Sequence, residues 1–225
     1  MESLIRRLSP TVEFLIVIFG SLGLSILSST LSMIASYQAN KFIITLHPGD
    51  LYSLICFEIV ILVMLYVFLK IRGWTIRDFN LEINWKLAAF ALVILGVNYL
   101  LTYLVYIVLV ISHLIPYPST TIFKIFLTLP EILMASIVNP IFEEIIVIGY
   151  VFKALKKKHK GLFIIGMSAL IRYSYHTCQG SIALASILPM GFLYAYVYWR
   201  WKKILPLVIA HALEDFIGLY SYLQT

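Results

Sequence analysis

Residues 139–150 read NPIFEEIIVIGY, and they place two adjacent carboxylates, Glu143 and Glu144, in a run that is otherwise lipid-soluble. No lysine or arginine stands within one helical turn to neutralise either acid. The consequence depends on the medium. The chain of 225 residues is 61% hydrophobic and 12% charged, with a mean hydropathy of +0.95. That leaves too little polar surface for a soluble domain of this size. Apolar stretches of about 18 residues or more recur along the whole length, which marks membrane-spanning helices.

The expectation is an all-α polytopic membrane protein of one domain, residues 1–225. Seven spans are expected, at 12–36, 51–70, 86–112, 121–152, 161–177, 180–199 and 204–222. The third and fourth are separated only by SHLIPYPST, residues 112–120, whose prolines and serines signal a turn. No internal repeat or low-complexity tract is visible. The first apolar stretch is too long for a signal-peptide core, so it is read as an uncleaved span.

Charge sets the orientation. With the N-terminus inside, the inner segments hold Arg6 and Arg7, then Lys70, Arg72, Arg77 and Lys86. The next inner segment holds Lys153, Lys156, Lys157, Lys158 and Lys160, and the last holds Arg200, Lys202 and Lys203. Lys41 and Lys124 fall outside, and Arg172 lies within a span. This asymmetry predicts an N-in, C-out topology by the positive-inside rule. It also explains the net charge of +6 as membrane anchoring, with the lipid bilayer as partner and no nucleic acid. Cys56 and Cys178 fall in different spans and imply no disulfide scaffold.

Ionisable residues inside spans are functional suspects, because a charge at the bilayer centre costs about 2.5–3.5 kcal/mol on insertion scales. Glu58 stands alone in the second span, and Glu131 follows Pro130 near a helix end. For both, a helix contact or partial exposure is the plainer reading. Arg172 and His176 are four apart in the fifth span, so a helix there would put them on one face. His211 and Asp215 are four apart in the seventh, beside Glu214. Three helices could bring Glu143, Glu144, Arg172, His176 and His211 into one pocket. A structural polar network is the competing reading, but such networks are usually built from uncharged Ser, Thr, Asn or Gln. A proton-coupled transporter would suit the residues, yet no inverted repeat or pair of broken helices accompanies them.

Three spacings resemble a known family, the CAAX protease and bacteriocin-processing enzymes (also called Abi), which include the type II CAAX prenyl endopeptidases. Its first motif is two glutamates, three residues, then arginine and usually glycine; Glu143, Glu144 and Gly149 match. The second ends in a histidine, here His176, and the third pairs a histidine with asparagine or aspartate, here His211 with Asp215. The resemblance covers residues 136–218, which marks 121–222 as a peptidase core behind N-terminal spans at 1–120. Two positions depart: Ile148 stands where the family arginine is expected, and Arg172 where its phenylalanine is. Arg172 is therefore expected to supply the missing guanidinium across the pocket. The competing reading is a member that no longer cleaves.

The resemblance implies an intramembrane endopeptidase of a bacterial cell membrane. Its substrate would be a membrane-associated or prenylated peptide or protein, cut near the cytoplasmic side. Glu143 and His176 would activate water, His211 with Asp215 would stabilise the oxyanion, and Glu144 with Arg172 would order the site. No cofactor is expected. The alternative is zinc on Glu143, His176 and His211, which suit it in number and type, although no H-E-x-x-H is present. The inert alternative would be a bacteriocin-immunity or scaffold protein. Cys178 invites a thiol-protease reading but lacks a base at its spacing. Tyr173 and Tyr175 are read as interfacial aromatics. Gly149, Gly180 and Gly191 are read as points of close helix approach.

Overall fold

In a bilayer the backbone must satisfy its own hydrogen bonds, so long apolar runs fold as helices. A computed structural model describes residues 2–39, 41–82, 84–115 and 121–224. The helices are α1 (Glu2–Arg6), α2 (Pro10–Gln38), α3 (Pro48–Ile71), α4 (Trp85–Ile111) and α5 (Leu129–Glu143). Then come α6 (Val151–Leu155), α7 (Gly161–Ser174), α8 (Ser181–Ala185), α9 (Ile187–Trp201) and α10 (Leu205–Ser221). Five helical segments are long and apolar enough to cross a membrane: Pro10–Gln38, Pro48–Ile71, Trp85–Ile111, Leu129–Leu155 and Ser181–Trp201. Together with α7 and α10 they fall on the stretches expected from sequence. The chain is an all-α polytopic membrane protein.

Two boundaries differ from expectation. Residues Thr121–Ile125 form a strand, β2, and do not open the fourth span. They pair in parallel with β1 (Phe42–Leu46), in the register Phe42↔Thr121 to Leu46↔Ile125. Both segments are rich in β-branched and aromatic residues, which suit an extended backbone. The fourth span starts only at Leu129, where Thr128 and Glu131 form a capping box. The helix of the fifth expected span, α7, ends at Ser174, before residue 177 is reached. The expected turn at 112–120 is described in part: α4 ends at Ile111, and residues 116–120 lie outside the described residues.

Polar contacts gather the basic segments at one end of the bundle. Arg72 donates to the carbonyls of Ile5, Arg6 and Leu8, and its Nε is 2.5 Å from Glu13 Oε2. Asp78 pairs with Lys153, Asn80 Nδ2 donates to the Lys202 carbonyl, and Glu82 pairs with Lys203. Burial alone would push the Asp78 carboxyl up, but bonds from Lys153 and Thr75 hold it below its ordinary value. The opposite end carries the β1–β2 pair, the Thr128 cap and a 3₁₀ turn at Thr177–Gln179. Thr121 Oγ1 donates to the Gln179 carbonyl there, at 3.1 Å.

Candidate active site

The helix that carries the two acids is wound unusually. After α5, residues Glu144–Tyr150 form a π-helix before α6 resumes the ordinary turn. Such wide turns are rare and recur at functional sites. Ser168 of α7 donates to the Val147 carbonyl at 2.8 Å, which satisfies backbone in the widened stretch. Close packing holds it in place. A Cβ on Gly149 would lie 2.8 Å from Phe79, and one on Gly191 of α9 would lie 3.1 Å from the Ala169 Cα of α7.

Arg172, on the last turn of α7, is fully buried between the acids. Its Nη1 donates to Glu143 Oε2 at 2.9 Å, and its Nη2 to Glu144 Oε1 and Oε2 at 2.7 and 2.8 Å. The guanidinium thus reaches both carboxylates from across the pocket, while Ile148 is buried without exposure. His211 of α10 brings Nδ1 to 2.7 Å from Glu144 Oε1, and its Nε2 lies 3.6 Å from Asp215 Oδ1. Asn139 Nδ2 donates to Asp215 Oδ2 at 3.2 Å.

His176 reaches the site by a different route from the one expected. With α7 ended at Ser174, it lies in the turn that leads to the 3₁₀ segment, not on the helix face of Arg172. Its Nε2 still faces Glu143 Oε1, at 3.7 Å, which is beyond a direct hydrogen bond. Gln179 Nε2 lies 3.2 Å from Nδ1, and a bond donated there leaves the ring proton on Nε2. Gly180, at φ +64, then turns the chain away in a conformation that suits glycine, against Phe42 of β1.

The two oxygens of Glu143 therefore differ. Oε2 accepts from Arg172 and from the Tyr175 hydroxyl, at 2.9 and 2.7 Å. Oε1 points to His176 at the wall of a cavity of about 600 Å³ that Glu143, His176 and Asp215 all line. The six residues singled out from sequence, Glu143, Glu144, Arg172, His176, His211 and Asp215, form one connected cluster from three parts of the chain.

The same stretch carries the comparisons with known proteins. Residues 124–217 match the family model described as type II CAAX prenyl endopeptidase Rce1-like. A Bacillus subtilis (strain 168) protein named "Putative membrane peptidase YdiL" is 30% identical over 178 residues, 76% of this chain and 70% of that protein. The chain belongs to the Rce1-like family. At family level its function is that of a membrane protease. No solved structure matches.

In this Rce1-like chain the cluster extends beyond the motif residues. Tyr175, expected at a membrane interface, instead binds Glu143 from a buried position. Its place next to the motif histidine was the available signal. Glu214 accepts from Asn98 of α4 and Tyr194 of α9, at 3.0 and 3.1 Å. Nothing in the local sequence pairs those residues. Glu131 is a helix cap that also accepts from Tyr52, in line with its plainer reading. Among the described residues, no three His, Cys, Asp or Glu side chains converge as a metal-ligand group. Of the zinc set Glu143, His176 and His211, the last already turns Nδ1 to Glu144 and Nε2 towards Asp215. Cys178 lines the cavity and is a free thiol.

Proposed function

We propose that this protein is an intramembrane endopeptidase in which Glu143 activates water against a peptide bond. The observation that carries this reading is the asymmetry of Glu143. Oε2 is fixed by Arg172 and Tyr175, while Oε1 and His176 Nε2 stand 3.7 Å apart at the cavity wall, where one water lying beside the pair would touch both. Glu143 takes the water's proton as the oxygen attacks the carbonyl carbon, and His176 Nε2–H orients that water or the carbonyl. Collapse of the tetrahedral intermediate breaks the C–N bond, and Glu143 returns the proton to the leaving amine. His211 Nδ1 is committed to Glu144, so its Nε2 donates to the oxyanion only when the ring carries both protons. Asn139 holds Asp215 beside it.

The substrate is a membrane-associated or prenylated peptide or protein, and the host membrane is a bacterial cell membrane with the N-terminus inside. The cavity occupies the half of the bundle near the β1–β2 pair, away from the lysine-rich end. With the basic end in the cytoplasm, cleavage falls in the outer half of the bilayer, in contrast to the cytoplasmic side suggested by sequence. Comparing the peptides of cells that express the wild type or Glu143→Ala tests the activity. Products present only with the wild type are expected, and identical peptide profiles would overturn the reading.

The chemistry proposed routes no step through a metal, since a carboxylate and an imidazole at one cavity wall are themselves a base and a donor for water. EDTA or 1,10-phenanthroline should leave the activity of purified protein largely unchanged. Strong inhibition that zinc restores would transfer the role to a metal on Glu143, His176 and His211. A second reading, an inert immunity or scaffold protein, draws on one observation: the guanidinium that pairs Glu143 stands at 172, not at 148.

A further inference from the structure

The cavity reaches beyond the segment matched by the family. α2 lines it with Ser25, Ser28, Ser29 and Ser32, which share one helical face, and α3 lines it with Glu58. Glu58 is 2% exposed, and its Oε2 has no hydrogen-bond partner among the described residues. The other buried acids differ from it. Glu13 has Arg72, Glu131 has Thr128 and Tyr52, and Glu143 and Glu144 share Arg172. A buried carboxyl oxygen with no donor is costly to keep, and a proton, a water or a group that arrives with a donor relieves it.

The surroundings specify that group. Three acids, Glu58, Glu143 and Asp215, line the cavity, and no lysine or arginine among the described residues does. The guanidinium behind Glu143 is already committed to two carboxylates. A peptide carboxylate would enter this space against like charge. A cationic side chain would meet an acid that lacks a partner, beside a serine face able to accept further hydrogen bonds.

We propose that Glu58 is a specificity-determining residue: it binds a lysine or arginine side chain of the peptide segment seated in the cavity. The assignment rests on the endopeptidase reading only in calling that segment a substrate. Ten residues separate Glu58 from Pro48 at the start of α3, so the carboxyl lies about 15 Å along the helix from that end. The bound cation would therefore come from a segment that threads into the bundle, not from a residue held at its surface.

The test uses the full-length protein in phosphatidylcholine nanodiscs, a lipid without net charge. The probes are apolar decapeptides in which one position, walked along the chain, is lysine, N-acetyl-lysine, norleucine or glutamate. Binding is read by fluorescence anisotropy and cleavage by mass spectrometry of the same mixtures. The lysine peptide with the preferred position should bind the wild type about tenfold or more tighter than its norleucine and acetylated counterparts. Glu58→Gln and Glu58→Leu, checked for wild-type thermal unfolding, should lose that preference. A wild type that binds all four peptides alike, or none, overturns the proposal, and this comparison needs no variant. A lysine preference that survives in a folded Glu58 variant overturns it too. Lysine preference through Glu58 without cleavage of any peptide would sustain this assignment and remove the endopeptidase reading. Cleavage of all peptides alike would do the reverse.

Discussion

Glu143→Gln should insert and accumulate like the wild type yet release no product above background, a loss of about 10²–10⁴-fold from removing the base. The fold should tolerate this change because of the charges around Arg172. The guanidinium binds both carboxylates, so neutralising one leaves it paired with Glu144 through two contacts. A glutamine of nearly the same shape still offers an oxygen to Arg172 Nη1 and the Tyr175 hydroxyl. His176→Ala should lose activity to a similar extent for a different reason. That ring is 21% exposed at the cavity wall, so truncation removes the partner of Oε1 with little loss of packing. Product formation by purified protein, beside its accumulation in membranes, measures both. Full activity in the two variants would remove Glu143 and His176 from the chemistry.

Much of this architecture was legible because composition in a membrane protein is close to a structural instruction. Apolar runs with no breaker had one outcome in lipid, and α2, α3 and α4 lie where those runs predicted. The failures came where another signal competed with hydropathy. Thr121–Ile125 is apolar enough to be counted with the fourth span, but its β-branched and aromatic residues were the better guide. Thr128, Pro130 and Glu131 then mark the true helix start. The cluster of acids, histidines and arginine was visible as residues, since charge in lipid is rarely accidental. Its arrangement was not. Four-residue spacing placed His176 on the face of Arg172 only while the helix was assumed to continue, and the chain instead turns after Ser174 to put Tyr175 on Glu143. Glu58 stands alone in its span, so its sequence carries no sign of a shared site. The acids beside it come from α5 and α10, and only the folded chain brings them to one cavity.

The larger structural test concerns the arginine itself. Arg172→Phe restores the residue usual for the family at that position and removes the cation that binds both acids. Two adjacent carboxylates buried without a countercharge are costly, and a carboxyl that takes up a proton is no longer a base. Activity should fall by about 10²-fold or more, and stability should fall as well. Removing one partner of a buried ion pair typically costs about 3–5 kcal/mol. Thermal unfolding must therefore be read beside product formation. Adding Ile148→Arg should return part of both losses. Residue 148 is four positions after Glu144 and five after Glu143, in a stretch wound as a π-helix, so it stands about one turn from both acids. A guanidinium there would reach the same pair from their own helix instead of from α7. Because the two positions serve one pair of carboxylates, the double variant should depart strongly from the sum of the single effects. A double variant that is folded and as inactive as Arg172→Phe would overturn the exchange of the two positions: the chemistry would then need the guanidinium where α7 places it, on both acids at once.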